Sequence, residues 1–225
     1  MSAFWQGLKS FLQERGGEIL NALGEHVYLT MAAMGMAIVL AVPVGLILTR
    51  AKRADKVVLG IVGVIQTLPS LALVGLMVPL LGAGPKAAIA ALFLYALLPI
   101  VRNSYTGVRN IDPAITETAR AMGMTSREIL FRVELPLSVP IIMAGVRTST
   151  VICVGVATLG GVVGAGGLGE LIWIGIDRAE DALIFAGALP AMGLALLLDW
   201  VLSVGEWLFT PAGMREDKGS AQAGA

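Results

Sequence analysis

The chain has 225 residues, 56% hydrophobic and 14% charged, with a mean hydropathy of +0.83. Soluble domains are about a quarter charged, so the composition excludes one and points to an all-α, multi-span integral membrane protein. Sixteen basic and sixteen acidic residues cancel, leaving no overall field that would draw a nucleic acid or another polyanion.

Single copies of cysteine and histidine limit the chemistry. Cys153 excludes an internal disulfide and a cysteine metal cluster, and His26 lacks the partners of a metal site. No metal site and no catalytic constellation is expected. No basic start, short apolar core and small-residue cleavage site mark a cleavable signal peptide.

Residues 3–23 place Phe4, Leu8, Phe11, Leu12, Ile19 and Leu20 at helical spacing, with Gly16-Gly17 weakening the middle. Phe4, Trp5 and Phe11 suit an interfacial helix on the bilayer surface, and 1–25 forms that outer segment. An amphipathic lead-in without a role fits the same pattern. The membrane domain is expected over 26–209, because about 20 apolar residues cross a bilayer core of about 30 Å. Its spans are His26–Leu48, Val57–Leu81, a short third over Lys86–Val101, Val139–Val163 and Leu183–Phe209. The tail 210–225 is polar and small, and is expected to be cytoplasmic and disordered.

Lysine and arginine set the orientation. Arg50, Lys52, Arg53 and Lys56 follow the first span. Arg102, Arg109, Arg120, Arg127 and Arg132 follow the third, and Arg215 and Lys218 follow the fifth. Only Lys9, Arg15, Lys86 and Arg178 fall on the other side. Five spans with the N-terminus outside and the C-terminus in the cytoplasm satisfy the rule. The loop 104–138 is then cytoplasmic.

Within that loop Asp112 suits an N-cap and Pro113 the first helical position. Gly123 fits the C′ position that ends a helix in a left-handed turn. Thr125-Ser126-Arg127-Glu128 reads as a capping box opening a second helix, which Pro136 stops and Pro140 keeps broken. Two short helices set at an angle by a glycine turn are predicted.

Two spans hold more than anchoring residues. Gln66, Thr67, Pro69 and Ser70 lie near the middle of the second, where polar groups should face protein or water and proline should break the helix. A structural kink satisfied by Ser and Thr accounts for them equally well. Arg147 and Asp199 lie in the last two spans and are expected to pair, with snorkelling as the competitor. After the fourth span, Gly160-Gly161 and Gly164 to Gly169 suggest a flexible external segment. Gly164, Gly166 and Gly169 match G-x-G-x-x-G, but the strand and acidic residue of a dinucleotide site are missing. Close backbone packing or an external gate formed by Gly164, Gly166, Gly167 and Gly169 is the better reading. Trp173, Asp177, Glu180 and Asp181 form an external acidic and aromatic patch, read as a solvated loop, with contact to a binding protein as the alternative.

The stretch Glu117, Thr118, Ala119, Gly123, Val133, Leu135 and Pro136 resembles the loop Glu-Ala-Ala, three residues, Gly, nine residues, Ile-x-Leu-Pro of ABC importer permeases. Thr118 replaces the first Ala and Val133 replaces Ile. Gln66 to Leu73, Leu94 to Ile100 with Arg102-Asn103, and Gly164 to Gly169 resemble the subgroup importing glycine betaine, carnitine and choline. The resemblance implies a MetI-like permease fold with a coupling helix. It also implies an ATPase docking surface at Glu117, Thr118, Ala119, Met122, Gly123, Leu135 and Pro136. Two ATPase subunits, which bind ATP and Mg, would associate with two permease chains, identical or paralogous, and an external solute-binding protein. The chain carries no G-x-x-x-x-G-K-[ST] motif, so ATP hydrolysis falls to the partner. Another betaine, or an amino acid such as methionine, suits the same architecture. An ion-coupled carrier would need internal repeats, and none is visible.

Overall fold

A computed structural model describes residues 2–51 and 53–209, with side chains from 15 to 208 except at 52. The described residues hold helices and no strand. The tail expected to be disordered, 210–225, lies outside them, as do the side chains of Phe4, Trp5 and Phe11.

The first helix, α1, runs Ser2–Leu48 with one non-helical residue, Arg15. α2 (Ala54–Thr67) and α3 (Ser70–Leu81) meet at 99°, and α4 spans Pro85–Arg109. α5 (Pro113–Ala121) and α6 (Ser126–Ile129) precede a π-helical turn, Leu130–Glu134, that leads directly into α7 (Leu135–Ala157). A 3₁₀ turn, Thr158–Val163, α8 (Leu168–Asp177) and α9 (Asp181–Phe209) complete the order. Four helical runs are long and apolar enough to cross a membrane, or five if α2 and α3 make one broken span.

Small residues let the central helices approach. On α1, Ala33, Ala37 and Ala41 are fully buried at four-residue spacing, and Gly45 continues the stripe. A Cβ on Gly45 would lie 2.5 Å from Ser104 Cβ and 2.7 Å from the Val101 carbonyl of α4. Gly145 does the same between α7 and α4, 2.7 Å from Asn103 Cβ. In lipid no hydrophobic force drives helices together, so close van der Waals contact of this kind must do it. Cross-helix bonds add to it: Ser149 Oγ donates to the Ala96 carbonyl at 3.0 Å, and Cys153 Sγ to that of Leu92 at 3.5 Å.

Several sequence expectations change. α1 passes unbroken through residue 25, and Ile19 and Ala22 are buried against Leu168, Leu171, Leu183 and Ala186. From Ile19 onward this segment is part of the bundle, not a surface helix. Its apolar face finds protein partners that no local pattern names. The third span is longer than Lys86–Val101, because Ser104, Gly107 and Val108 are buried as helix against their neighbours.

Nor does Pro136 stop the second loop helix. Leu135 N–H reaches back to the Leu130 carbonyl, a five-residue step that makes room for the proline ring. Helix therefore continues from Ser126 to Val163, with Pro140 inside α7. The stretch after Gly167, expected to be a loop, is a helix, α8. Trp173 is half-buried on it, while Asp177 and Glu180 are exposed and Asp181 opens α9.

Candidate functional site

The loop between α4 and α7 is built by local capping. Asp112 accepts from Ala114 N–H at 2.9 Å, with Pro113 at the first helical position. At the other end Gly123 has φ +84°. Its N–H donates to the Arg120 carbonyl at 2.9 Å, and Met124 N–H donates to that of Ala119 at 3.1 Å. These two bonds form a Schellman stop, which requires a left-handed residue at Gly123. Thr125 and Glu128 then close the capping box: Glu128 N–H donates to Thr125 Oγ1 at 3.3 Å and Thr125 N–H to Glu128 Oε2 at 2.9 Å.

The surface so formed is unusual for a polar loop. Ala119 is buried and holds α5 in place, while Glu117 and Thr118 are exposed. Ile115, Met122 and Phe131 are exposed at 43%, 71% and 55%. A cleft of about 370 Å³ runs between Ala114, Ile115, Thr118, Ala119, Met122 and Val133. Leu135 and Pro136 are half-buried at the base. Apolar groups exposed in this way suit contact with a protein or a membrane.

Glu134 ties this loop to the rest. Its carboxylate, 6% exposed, accepts from Arg50 NH2 just beyond α1. Sequence reasoning left this residue without a role. An acid one position before Leu135-Pro136 was visible, but its partner lies 84 residues away.

The break in the second span is stitched to α4. Leu68 is extended and Pro69 starts α3. Gln66 Nε2 donates to the Tyr95 carbonyl at 3.0 Å, and Tyr95 OH donates to the Leu68 carbonyl, a group freed by the break. Thr67 Oγ1 turns back to the Val64 carbonyl at 2.7 Å, and Ser70 is half-buried. Thr67, Leu68 and Pro69 are exposed on the protomer's surface.

The glycine segment is ordered. Gly164, Gly166 and Gly167 have φ of +67°, +79° and +77°. A Cβ on Gly169 would sit 2.0 Å from the Thr158 carbonyl oxygen, and one on Gly161 would sit 2.6 Å from the backbone of Gly169. Ala165 and Leu168 are buried. Glu25 Oε2 accepts from Gly167 N–H at 2.8 Å, and the His26 ring meets the Val154 carbonyl at 3.0 Å. The expected flexibility gives way to backbone packing, because the turn is wedged between α1, α7 and α8. Glu25 and His26 were missed as partners of this turn.

Arg147 and Asp199 are brought together. Arg147 Nε and NH2 donate to the two Asp199 oxygens at 2.7 and 2.9 Å, and Glu206 Oε2 lies 3.5 Å from NH1. No cluster of three metal-ligand side chains occurs among the described residues.

Comparison with known proteins decides the identity of this arrangement. The family model described as binding-protein-dependent transport system inner membrane component matches residues 33–206. The chain belongs to this family.

The permease is 46% identical over 208 residues to a glycine betaine/carnitine/choline transport system permease protein of Bacillus subtilis, covering 92% of this chain and 96% of that one. A choline transport system permease protein of the same species is 47% identical over the same shares. A carnitine transport permease protein of Listeria monocytogenes is 42% identical over 92% of this permease and 95% of its own length. In fold, the permease is similar to the inward-facing MetNI methionine ABC transporter. One crystal form gives a TM-score of 0.77 at 24% identity over 86% of this chain and 97% of that one, and another gives 0.79 at 23% over 88% and 99%. It is thus an all-helical, multi-pass transport subunit of the inner membrane.

Proposed function

We propose that this permease carries a quaternary ammonium solute of the glycine betaine, choline or carnitine type into the cell, driven by ATP that a separate subunit hydrolyses. The substrate reading rests on relatives named for these solutes at 42–47% identity over 92% of the chain. The coupling reading is carried by one observation, the exposed Ile115, Met122 and Phe131 around a rigidly capped α5. An ATPase groove covers these side chains. Closing of two ATPases on ATP moves α5, and the continuous helix from Ser126 transmits the displacement to α7. The spans then alternate between inward-open and outward-open arrangements.

Two permease chains form the path, and an external binding protein supplies the solute. Basic residues in the first loop and in the α4–α7 loop support a reading with α5 in the cytoplasm and the N-terminus outside. Gln66, Thr67, Pro69 and Ser70 lie on the path, and Gly164, Gly166, Gly167 and Gly169 set the outer gate.

The test is purification of the tagged chain with its neighbours in mild detergent, followed by solute uptake in vesicles. Recovery of an ATPase and ATP-dependent uptake of labelled glycine betaine or choline is expected. A chain that purifies alone and moves solute down an imposed ion gradient would be a carrier, and the importer reading would be wrong.

A further inference from the structure

Glu25 and His26 are neighbours on α1, and they hold the two ends of the glycine segment. The Val154 carbonyl of α7 lacks its usual helix partner, because Thr158 N–H turns to the Gly155 carbonyl where the 3₁₀ turn begins. His26 Nε2 meets that carbonyl at 3.0 Å. A carbonyl only accepts, so Nε2 carries the proton and donates. At the far end Gly167, the residue that caps α8, donates its N–H to Glu25 Oε2 at 2.8 Å. A carboxylate at the start of a ten-residue helix also meets the positive end of its dipole. Glu25 is exposed, while His26 is fully buried.

Without these bonds the segment is a weak link. Gly164, Gly166 and Gly167 take positive φ, and glycine meets little steric resistance to turning further. Gly161 and Gly169 pack backbone to backbone across it. Such contact resists compression but not separation, since dispersion fades within about an ångström of gap. The two hydrogen bonds resist separation, and consecutive residues of one helix supply both. The same helix leads to Arg50, which holds Glu134 ahead of α7. These attachments lie roughly 35 Å apart along α1 and bracket α7 at both ends.

We propose that Glu25 and His26 form a latch on the glycine turn, which opens during transport only when the latch lets go. The proposal rests on the importer reading, in which this turn is the outer gate. Both are positioning residues, and neither needs to touch the solute. They make the end of α7 and the start of α8 follow α1. Displacement of the π turn at Glu134 then reaches the gate through α1 as well as through α7. Opening must break both bonds, so the turn stays closed until the ATPases act. A transporter whose gate opens unprompted hydrolyses ATP without carrying solute.

The test uses the full transporter, purified with its ATPase and binding protein and returned to lipid. Glu25→Ala is the informative variant, because Glu25 is exposed and its loss leaves no buried void. Hydrogen–deuterium exchange over residues 158–167 reads the latch directly. Exchange there should speed up about tenfold in Glu25→Ala, the scale of one lost bond to a charged group. Glu25→Gln keeps an acceptor and should stay near the native rate. Labelled glycine betaine or choline taken up per ATP hydrolysed should fall in Glu25→Ala and recover in Glu25→Gln. At the buried bond, His26→Gln retains an N–H donor and should exchange more slowly than His26→Leu. The reverse order would remove His26 from the latch. Unchanged exchange in Glu25→Ala would overturn the proposal. Faster exchange with unchanged uptake per ATP would leave a merely structural bond and overturn it as well. Absence of ATP-driven uptake by the unmodified transporter would refute the importer reading instead, and the exchange rates would still report the latch.

Discussion

Arg50, two residues beyond α1, donates to the buried carboxylate of Glu134 in the π turn before Leu135-Pro136. This pair fastens the end of α1 to the π turn that leads into α7. Its two members are unequal: the Arg50 side chain is 48% exposed and that of Glu134 only 6%.

That asymmetry orders two substitutions. Arg50→Ala strands a buried carboxylate and should cost about 3 kcal/mol. Glu134→Gln keeps an acceptor for an arginine that water still reaches, and should cost about 1 kcal/mol. Thermal inactivation of the purified complex in detergent should follow this order. A more stable Arg50→Ala than Glu134→Gln would show that the pair does not form.

Gly123 has open space around it, so its constraint is the backbone alone. A β-branched residue at φ +84° is strained by about 1–2 kcal/mol. Gly123→Val should insert normally but recover about tenfold less ATPase on co-purification, since 1.4 kcal/mol is a factor of ten. Gly123→Asn tolerates the left-handed turn and should recover most of it. Equal losses in both would point to a contact at this position, not to its conformation.

Close helix approach makes a different prediction for Gly45. Gly45→Ala should lose about 1–3 kcal/mol, because Ser104 and the Val101 carbonyl occupy the space. Gly35→Ala, in the same helix with nothing within 4 Å, should be neutral or slightly stabilising. Fluorescence-monitored melting of the two variants separates packing from helix propensity.

The glycine turn before α8 can be read the same way. Gly169→Ala drives a methyl into the Thr158 carbonyl and should abolish transport and lower membrane abundance. Gly164→Ala meets no atom and bears only the strain of φ +67°, about 1 kcal/mol, so abundance should hold. Equal abundance of the two variants would argue against a packed turn.

What could be read from sequence was local. The Asp112 cap, the Gly123 stop and the Thr125–Glu128 box form because their bonds close within a few residues. The break at Pro69 follows equally from one residue's chemistry. The apolar runs announced a membrane, and the spacing from Glu117 to Pro136 announced the family.

Distance in sequence set the limit. Pro136 was expected to end a helix, but a π turn absorbs it, since a five-residue backbone step offers room that the four-residue rule does not. Ile19 and Ala22 read as a surface helix until Leu168 and Leu183 cover them. Composition and local capping determined a multi-span helical chain with a rigid loop, because those signals act between neighbours along the chain. Tertiary structure alone decided that Arg50 meets Glu134 and that Glu25 holds Gly167. Those outcomes depend on which helix faces which, and small residues such as Ala37, Gly45 and Gly145 settle that by letting backbones touch.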